Sequence, residues 1–205
     1  MTDEYPDSDK IEGVTGAILA GGTSSRMGSD KSLLTLDGIA IIEVIYHKLA
    51  TLFREVIIVT NNPEAYAFIP CRKVPDILPG EGSIAGLHSA LLHSTTPKVF
   101  VVACDMPMLN PVLLRHLCRI EGEWDAVVPM TEAGYPEPLH ALYARSALNE
   151  IETALKRGNK SIRLLYDRIR TRKVSWDEIE GIKGAVDSFR NINTPQEYEK
   201  IRSNH

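Results

Sequence analysis

The sequence predicts an α/β protein in three layers, with a mostly parallel central sheet covered by helices on both faces. Three observations lead there. Apolar runs of strand length alternate with segments of helical periodicity through most of the chain. The most apolar run, Val99–Ala103 (VFVVA), suits a strand buried on both faces, as parallel strands are. A chain of 205 residues, 43% hydrophobic and 24% charged, suits one domain able to bury its own core. Residues 14–205 read as that domain. Residues 1–13 (MTDEYPDSDKIEG) read as a disordered acidic tail, lacking the basic and then apolar make-up of a secretion signal.

The elements follow in order. Val14–Leu19 is a short apolar strand running into Gly-rich sequence. Ile39–Phe53 carries Ile41, Ile42, Ile45, Leu49 and Leu52 near helical spacing and is expected to be a helix. Val56–Thr60 is a β-branched strand broken by Asn61-Asn62-Pro63. Arg72–Pro75 is a further short strand. Ile84–His93 is a helix after a loop holding Pro79, Gly80 and Gly82, and Pro111–Arg119 is a helix with Pro at its start. Ala126–Met130 is a strand in which Pro129 suggests an edge or a bulge. Leu139–Tyr143 suits a strand returning from a turn at Thr131–Pro138. Ala147–Arg157 and Ser161–Arg168 are expected helices separated by Gly158-Asn159. A last helix runs from Pro195 to about Arg202, opened by the capping-box arrangement of Thr194 and Glu197.

Composition narrows the function. The 3 cysteines (Cys71, Cys104, Cys118) form no paired motif, which suits a reducing cytoplasm and disfavours a zinc site or disulfides. No apolar run is long enough to span a membrane. A net charge of -4 disfavours general nucleic-acid binding, so an anionic ligand must be met by local cations and backbone N–H groups. The 6 histidines make no ligand motif and read as structural or exposed.

In open parallel sheets, ligands bind beyond the carboxyl ends of the strands. That rule selects Ala20-Gly21-Gly22, Asn61, Asp76 and Cys104-Asp105, which should converge on one crevice. The loop from Leu19 to Lys31 is rich in Gly and Ser and contains two cations, Arg26 and Lys31, a composition that suits phosphate. It matches neither G-x-x-x-x-G-K-[ST] nor G-x-G-x-x-G. Composition alone also permits an ordinary surface loop. Asp105, past the most apolar strand, is placed either to hold a divalent cation or to cap a turn; Asn61 and Asp76 suit either a base or ribose contact or strand termination.

Leu19-Ala20-Gly21-Gly22, Ser25-Arg26-Met27-Gly28 and Asp30-Lys31 together resemble the signature of nucleotidyltransferases that activate cofactors and sugars. With Asn61, Asp76 in V-P-D, G-S-I-A-G-L at 82–87, Cys104-Asp105-Met106-Pro107, Pro138–Tyr143 and Phe189–Pro195, the resemblance is to the molybdenum cofactor guanylyltransferase family and spans residues 16–198. It implies a Rossmann-like nucleotidyltransferase fold. It also implies transfer of GMP from GTP to the terminal phosphate of molybdopterin, with Mg²⁺ as cofactor and pyrophosphate released. Leu19, Ala20, Gly21, Gly22 and Lys31 would contact GTP, Asn61 and Asp76 would bind the nucleotide, and Asp105 would bind nucleotide and Mg²⁺. Lys31, Arg26 and Asp105 would carry catalysis, and Asn191–Pro195 would line the molybdopterin side. Partners would be the two substrates, with transient contact to other proteins of molybdenum cofactor biosynthesis and to acceptor enzymes. One departure is visible: Ser83-Ile84 stand where the family commonly has Pro-Leu. Neighbouring readings are a molybdopterin cytidylyltransferase, a sugar-phosphate nucleotidyltransferase, and a non-catalytic carrier of molybdopterin or nucleotide.

Overall fold

A computed structural model describes residues 10–21, 31–78, 81–192, 194 and 196–197, with Lys31 described in its backbone only. Residues 1–9 of the expected tail, Gly22, Arg26, the Lys31 side chain, Asn193, Pro195 and most of the expected last helix lie outside the described residues.

The chain runs β1 (Ile11–Leu19), β2 (Thr35–Leu36), β3 (Ile39–Ala40), α1 (Ile41–Ala50), β4 (Phe53–Val59), β5 (Arg72–Val74), α2 (Ser83–His93), β6 (Lys98–Ala103) and α3 (Pro111–Arg119). It continues through β7 (Ala126–Pro129), β8 (His140–Ala144), α4 (Leu148–Lys156), β9 (Thr171–Val174) and α5 (Trp176–Glu180). Seven strands form one sheet in the order β5-β4-β1-β6-β8-β7-β9, and only β8 is antiparallel to its neighbours. Successive residues of a strand face opposite sides, so β1 feeds two cores. Val14 and Ile18 pack with Ile41, Ile45, Leu113 and Ile179 on the α1, α3 and α5 side. Ala17 and Leu19 pack with Ile84, Leu87, Ile151 and Ala154 on the α2 and α4 side. These are the three layers expected. Among the described residues no helix is long and apolar enough to cross a membrane.

Several boundaries differ from expectation. β1 begins at Ile11, because the Ile11 amide donates to the Leu52 carbonyl at 2.7 Å and draws three residues of the expected tail into the sheet. The helix expected over Ile39–Phe53 is shorter at both ends. Ile39-Ala40 instead pair with Thr35-Leu36 around an Asp37-Gly38 turn, with φ of 51° and 85°, and Phe53 already belongs to β4. The helix expected over Ser161–Arg168 is a single 3₁₀ turn, Ile162–Leu165. β9 and α5 were not expected at all. Pro129 ends β7 between β8 and β9 rather than at the sheet edge. The ladder to β8 has already stopped at Val127, so the missing N–H breaks no β8 bond there.

Where the sequence and the structure agree, the local chemistry is visible. Asn110 caps α3, its Oδ1 accepting from the Val112 and Leu113 amides at 2.9 and 3.1 Å, with Pro111 at the first helical position. Thr194 and Glu197 exchange the reciprocal bonds of a capping box, each at 3.2 Å.

Candidate functional site

Four parallel strands end in one row. Leu19 of β1 is the register partner of both Val59 of β4 and Ala103 of β6, and Val59 is the partner of Val74 of β5. The chain leaves this row as Ala20-Gly21, Thr60-Asn61, Pro75-Asp76 and Cys104-Asp105. Neighbouring strands lie about 4.8 Å apart, so β5 to β6 spans roughly 14 Å. That length is comparable to a nucleotide laid end to end.

Backbone bonds hold the row: the Ala20 amide donates to the Val59 carbonyl at 3.0 Å, and the Thr60 amide to the Val74 carbonyl at 2.8 Å. Leu19 is buried against α2, where a Cβ added to Gly86 would lie 3.0 Å from the Leu19 Cδ1. Leu19 therefore offers a ligand its backbone, not its side chain. At the β5 end, Asn61 Oδ1 accepts the Asp76 amide at 3.0 Å. Asp76 Oδ1 in turn accepts from the Leu78 amide at 3.2 Å and the Ser89 hydroxyl at 3.4 Å. Both residues do terminate their strands. The same bonds fix Asn61 beside Asp76 at the strand ends.

At the β6 end, Asp105 is half-buried and its Oδ1 is shielded from solvent. Its carbonyl accepts the Ile192 amide at 2.8 Å, which brings the segment at 191–192 to this point of the crevice. Because β8 is antiparallel, its beginning lies at this edge: Val102 faces His140, and the Ala103 amide donates to the Leu139 carbonyl at 3.1 Å. Glu137 is thereby carried next to Asp105. Burial pushes the Glu137 carboxyl up from its ordinary pKa, and the negative charge of Asp105 adds to this; the Leu139 amide and Arg163 act the other way. Sequence reasoning missed Glu137. The acidic residue just ahead of an apolar run was visible, but the strand-end rule looks after strands, and only a reversed strand brings its start to this edge.

The structure thus brings together the backbone of Leu19, Ala20 and Gly21 with Asn61, Asp76 and Asp105. Gly22 and Arg26 lie outside the described residues. Lys31 opens a 3₁₀ turn, Lys31–Leu33, which is anchored where the Ser32 and Tyr66 hydroxyls meet at 3.1 Å. The far end of the loop therefore returns to the chain that comes after β4.

The donors at this edge suit a hard divalent cation. Among the described residues no group of three or more His, Cys, Asp or Glu side chains could enclose an ion. Asp105 with Glu137 offers carboxylate oxygens, the ligand type that Mg²⁺ takes when substrate phosphates and water complete its shell. Histidine is not poised for proton transfer here. His140, the ring nearest the site along β8, is fully buried, and burial alone pushes its pKa down to about 3.

Comparison with known proteins identifies the family and the fold. Residues 16–173 match the family model described as the MobA-like NTP transferase domain. A probable molybdenum cofactor guanylyltransferase of Pelotomaculum thermopropionicum is 35% identical over 188 residues, 92% of this chain and 91% of that protein. The molybdenum cofactor guanylyltransferase of Desulfosudis oleivorans is 34% identical over 195 residues, 94% of this chain and 96% of that one. Among solved structures, molybdopterin-guanine dinucleotide biosynthesis protein A from Archaeoglobus fulgidus is similar with a TM-score of 0.79 and 31% identity, covering 93% of this chain and 100% of that chain. The 4-diphosphocytidyl-2C-methyl-D-erythritol synthase of Anaerococcus prevotii, 14% identical with a TM-score of 0.67 over 96% of each chain, shares the fold alone. This chain is a nucleotidyltransferase belonging to the MobA-like NTP transferase domain family.

Proposed function

We propose that the protein transfers GMP from GTP to the terminal phosphate of molybdopterin in the cytoplasm, releasing pyrophosphate and forming the guanine dinucleotide cofactor. The row formed by Leu19, Val59, Val74 and Ala103 carries this reading, because it sets Ala20-Gly21, Asn61, Asp76 and Asp105 along one edge. The names of the relatives support the choice of guanine and molybdopterin.

Asn61 and Asp76 bind the nucleoside end. The Leu19–Gly21 backbone, Gly22 and Lys31 cradle the triphosphate, with Arg26 assisting. Asp105, with Glu137 beside it, would hold Mg²⁺, which would supply charge neutralisation at the phosphates. The attacking group is a phosphate, ionised near neutral pH, so the residues need only position two anions against each other and stabilise the charge that builds on the leaving group.

The test is pyrophosphate release from GTP and molybdopterin, run beside a thermal-shift panel of GTP, CTP, ATP and UTP with Mg²⁺. GTP should stabilise the protein selectively, and Asp105→Asn should lower kcat by about two orders of magnitude, the worth of several kcal/mol of lost charge stabilisation, with the melting temperature held. Selective stabilisation by CTP would overturn the guanine assignment. No pyrophosphate from the wild type would make the protein a carrier.

A further inference from the structure

Glu137 stands directly before Pro138, which confines it to extended backbone. Its amide donates to the Pro129 carbonyl at 2.9 Å and its carbonyl accepts the His140 amide at 3.3 Å, so the chain here is fixed to both β7 and β8. The next peptide unit, between Pro138 and Leu139, is held at both of its polar atoms. The Pro138 carbonyl accepts the Tyr143 hydroxyl at 2.9 Å. The Leu139 amide donates to the Glu137 carboxylate. The Leu139 carbonyl accepts the Ala103 amide at 3.1 Å, two residues ahead of Asp105. One peptide thus connects the Glu137 side chain with the interior of the protein.

Behind that peptide lie two phenols. Tyr143 is fully buried and Tyr166 nearly so, both on the α2 and α4 side of the sheet, and their hydroxyl oxygens are 2.7 Å apart. Each hydroxyl has one proton. Tyr143 directs its proton at the Pro138 carbonyl, so the hydrogen between the two phenols belongs to Tyr166. Tyr166 is itself anchored, its carbonyl accepting the Thr171 hydroxyl at 3.1 Å at the start of β9. Burial is the main cause that raises both phenols above their ordinary pKa, and the negative charge of Glu137 adds to it, so both keep their protons. The bonds then run one way: Tyr166 to Tyr143, Tyr143 to the Pro138 carbonyl and, across the same peptide, the Leu139 amide to the Glu137 carboxylate. Donors chained in this way strengthen one another, by about 10–30% per bond. Packing alone does not call for the hydroxyls. Two phenylalanines would fill the layer without placing polar groups where an unpartnered one is costly.

We propose that Tyr143 and Tyr166 are positioning residues for Glu137, acting through the Pro138–Leu139 peptide. The pair orients that peptide and strengthens its N–H, which holds the Glu137 carboxylate beside Asp105. This role rests on the reading of Asp105 and Glu137 as the Mg²⁺ end of the crevice.

The dipeptide Pro-Leu occurs once in the chain, at 138–139. Labelling proline with ¹³C at its carbonyl and leucine with ¹⁵N therefore gives a single carbonyl-correlated amide resonance, which reports this peptide alone and is read without metal or substrates. Tyr166→Phe should move its amide proton upfield, although the lost hydroxyl lies one hydrogen bond beyond the peptide. Glu137→Gln, which weakens the acceptor, should move it upfield as well. Tyr166→Phe leaves the bond from Tyr143 to Pro138 in place, and a thermal melt checks that the fold is kept. In the transfer assay Tyr166→Phe should raise the Mg²⁺ concentration for half-maximal activity about two- to fivefold, at most the worth of one neutral hydrogen bond, with the KM for GTP at saturating Mg²⁺ unchanged. In a Glu137→Gln background the same substitution should add nothing. An equal rise in both backgrounds would show a merely structural role and overturn the proposal. A resonance moved by Glu137→Gln but not by Tyr166→Phe would overturn the relay and leave Glu137 in the site. A Mg²⁺ requirement unmoved by Glu137→Gln would overturn the metal reading, and this role with it, even where the resonance shifts.

Discussion

Gly82 opens α2 at the crevice edge with φ 77° and ψ −166°, a region that only glycine occupies readily. A Cβ built there would lie 2.6 Å from the Lys160 carbonyl oxygen, a backbone atom with no side chain to swing away. Gly82→Ala should therefore carry two costs. Backbone strain contributes about 1–3 kcal/mol, and forced displacement of the Lys160 backbone about 1–3 kcal/mol more. The stiffer unfolded chain returns about 0.4–1 kcal/mol, leaving a net loss of about 1–6 kcal/mol. Gly158 separates the two contributions: its φ is 73°, yet a Cβ there would meet nothing within 4 Å. Gly158→Ala should cost about 1 kcal/mol, strain alone. Urea unfolding monitored by far-UV circular dichroism measures both variants. Equal losses, or a Gly82→Ala loss under about 0.5 kcal/mol, would refute the claim that the Lys160 backbone seals Gly82.

Other expectations concern the site and its frame. Asn61→Ala removes the acceptor for the Asp76 amide and should weaken GTP binding about five- to tenfold, near the worth of one hydrogen bond, by isothermal titration. Glu137→Gln should raise the Mg²⁺ concentration needed for half-maximal activity about 10- to 100-fold, the range seen when a supporting carboxylate is lost; an unmoved Mg²⁺ titration would remove Glu137 from the site. At the far side of the sheet, hydrogen bonds from Arg170 hold Asp125 down to about 2, below its ordinary 3.8, with Ser146 adding to them. The folded pKa is depressed, so this contribution is complete above pH of about 4 and is lost as pH falls toward about 2. Thermal melts across that window should fall less steeply in Asp125→Asn than in the wild type.

What the sequence revealed depended on how completely each element is buried. Val99–Ala103 is buried on both faces and could be read almost to the residue. Pro111–Arg119 was legible because Asn110 and Pro111 mark its start by themselves. β9 was not, because it lies at the sheet edge and only Val174 of Thr171-Arg172-Lys173-Val174 is buried, so no alternation betrays it. The Asp37-Gly38 dipeptide is a strong hairpin signal, but the helical spacing of Ile41, Ile42 and Ile45 just beyond it masked the turn. The Ser161–Arg168 pattern failed as a helix for a tertiary reason. Tyr166 turns inward to bond the Tyr143 hydroxyl at 2.7 Å, and the Arg168 amide closes back onto Leu165 at 2.8 Å, ending the turn. At the candidate site, Asn61, Asp76 and Asp105 came from the strand-end rule, whereas placing Glu137 near Asp105 required knowing that β8 is reversed.

The bond between the Ile192 amide and the Asp105 carbonyl also has a meaning in time. During synthesis the four strands of the nucleotide half emerge first, and Asp105 comes directly after them. Its carbonyl gains this partner only when the much later Ile192 arrives. This edge is therefore completed by a contact between segments 87 residues apart, so the order of its closure is set by the far end of the described chain.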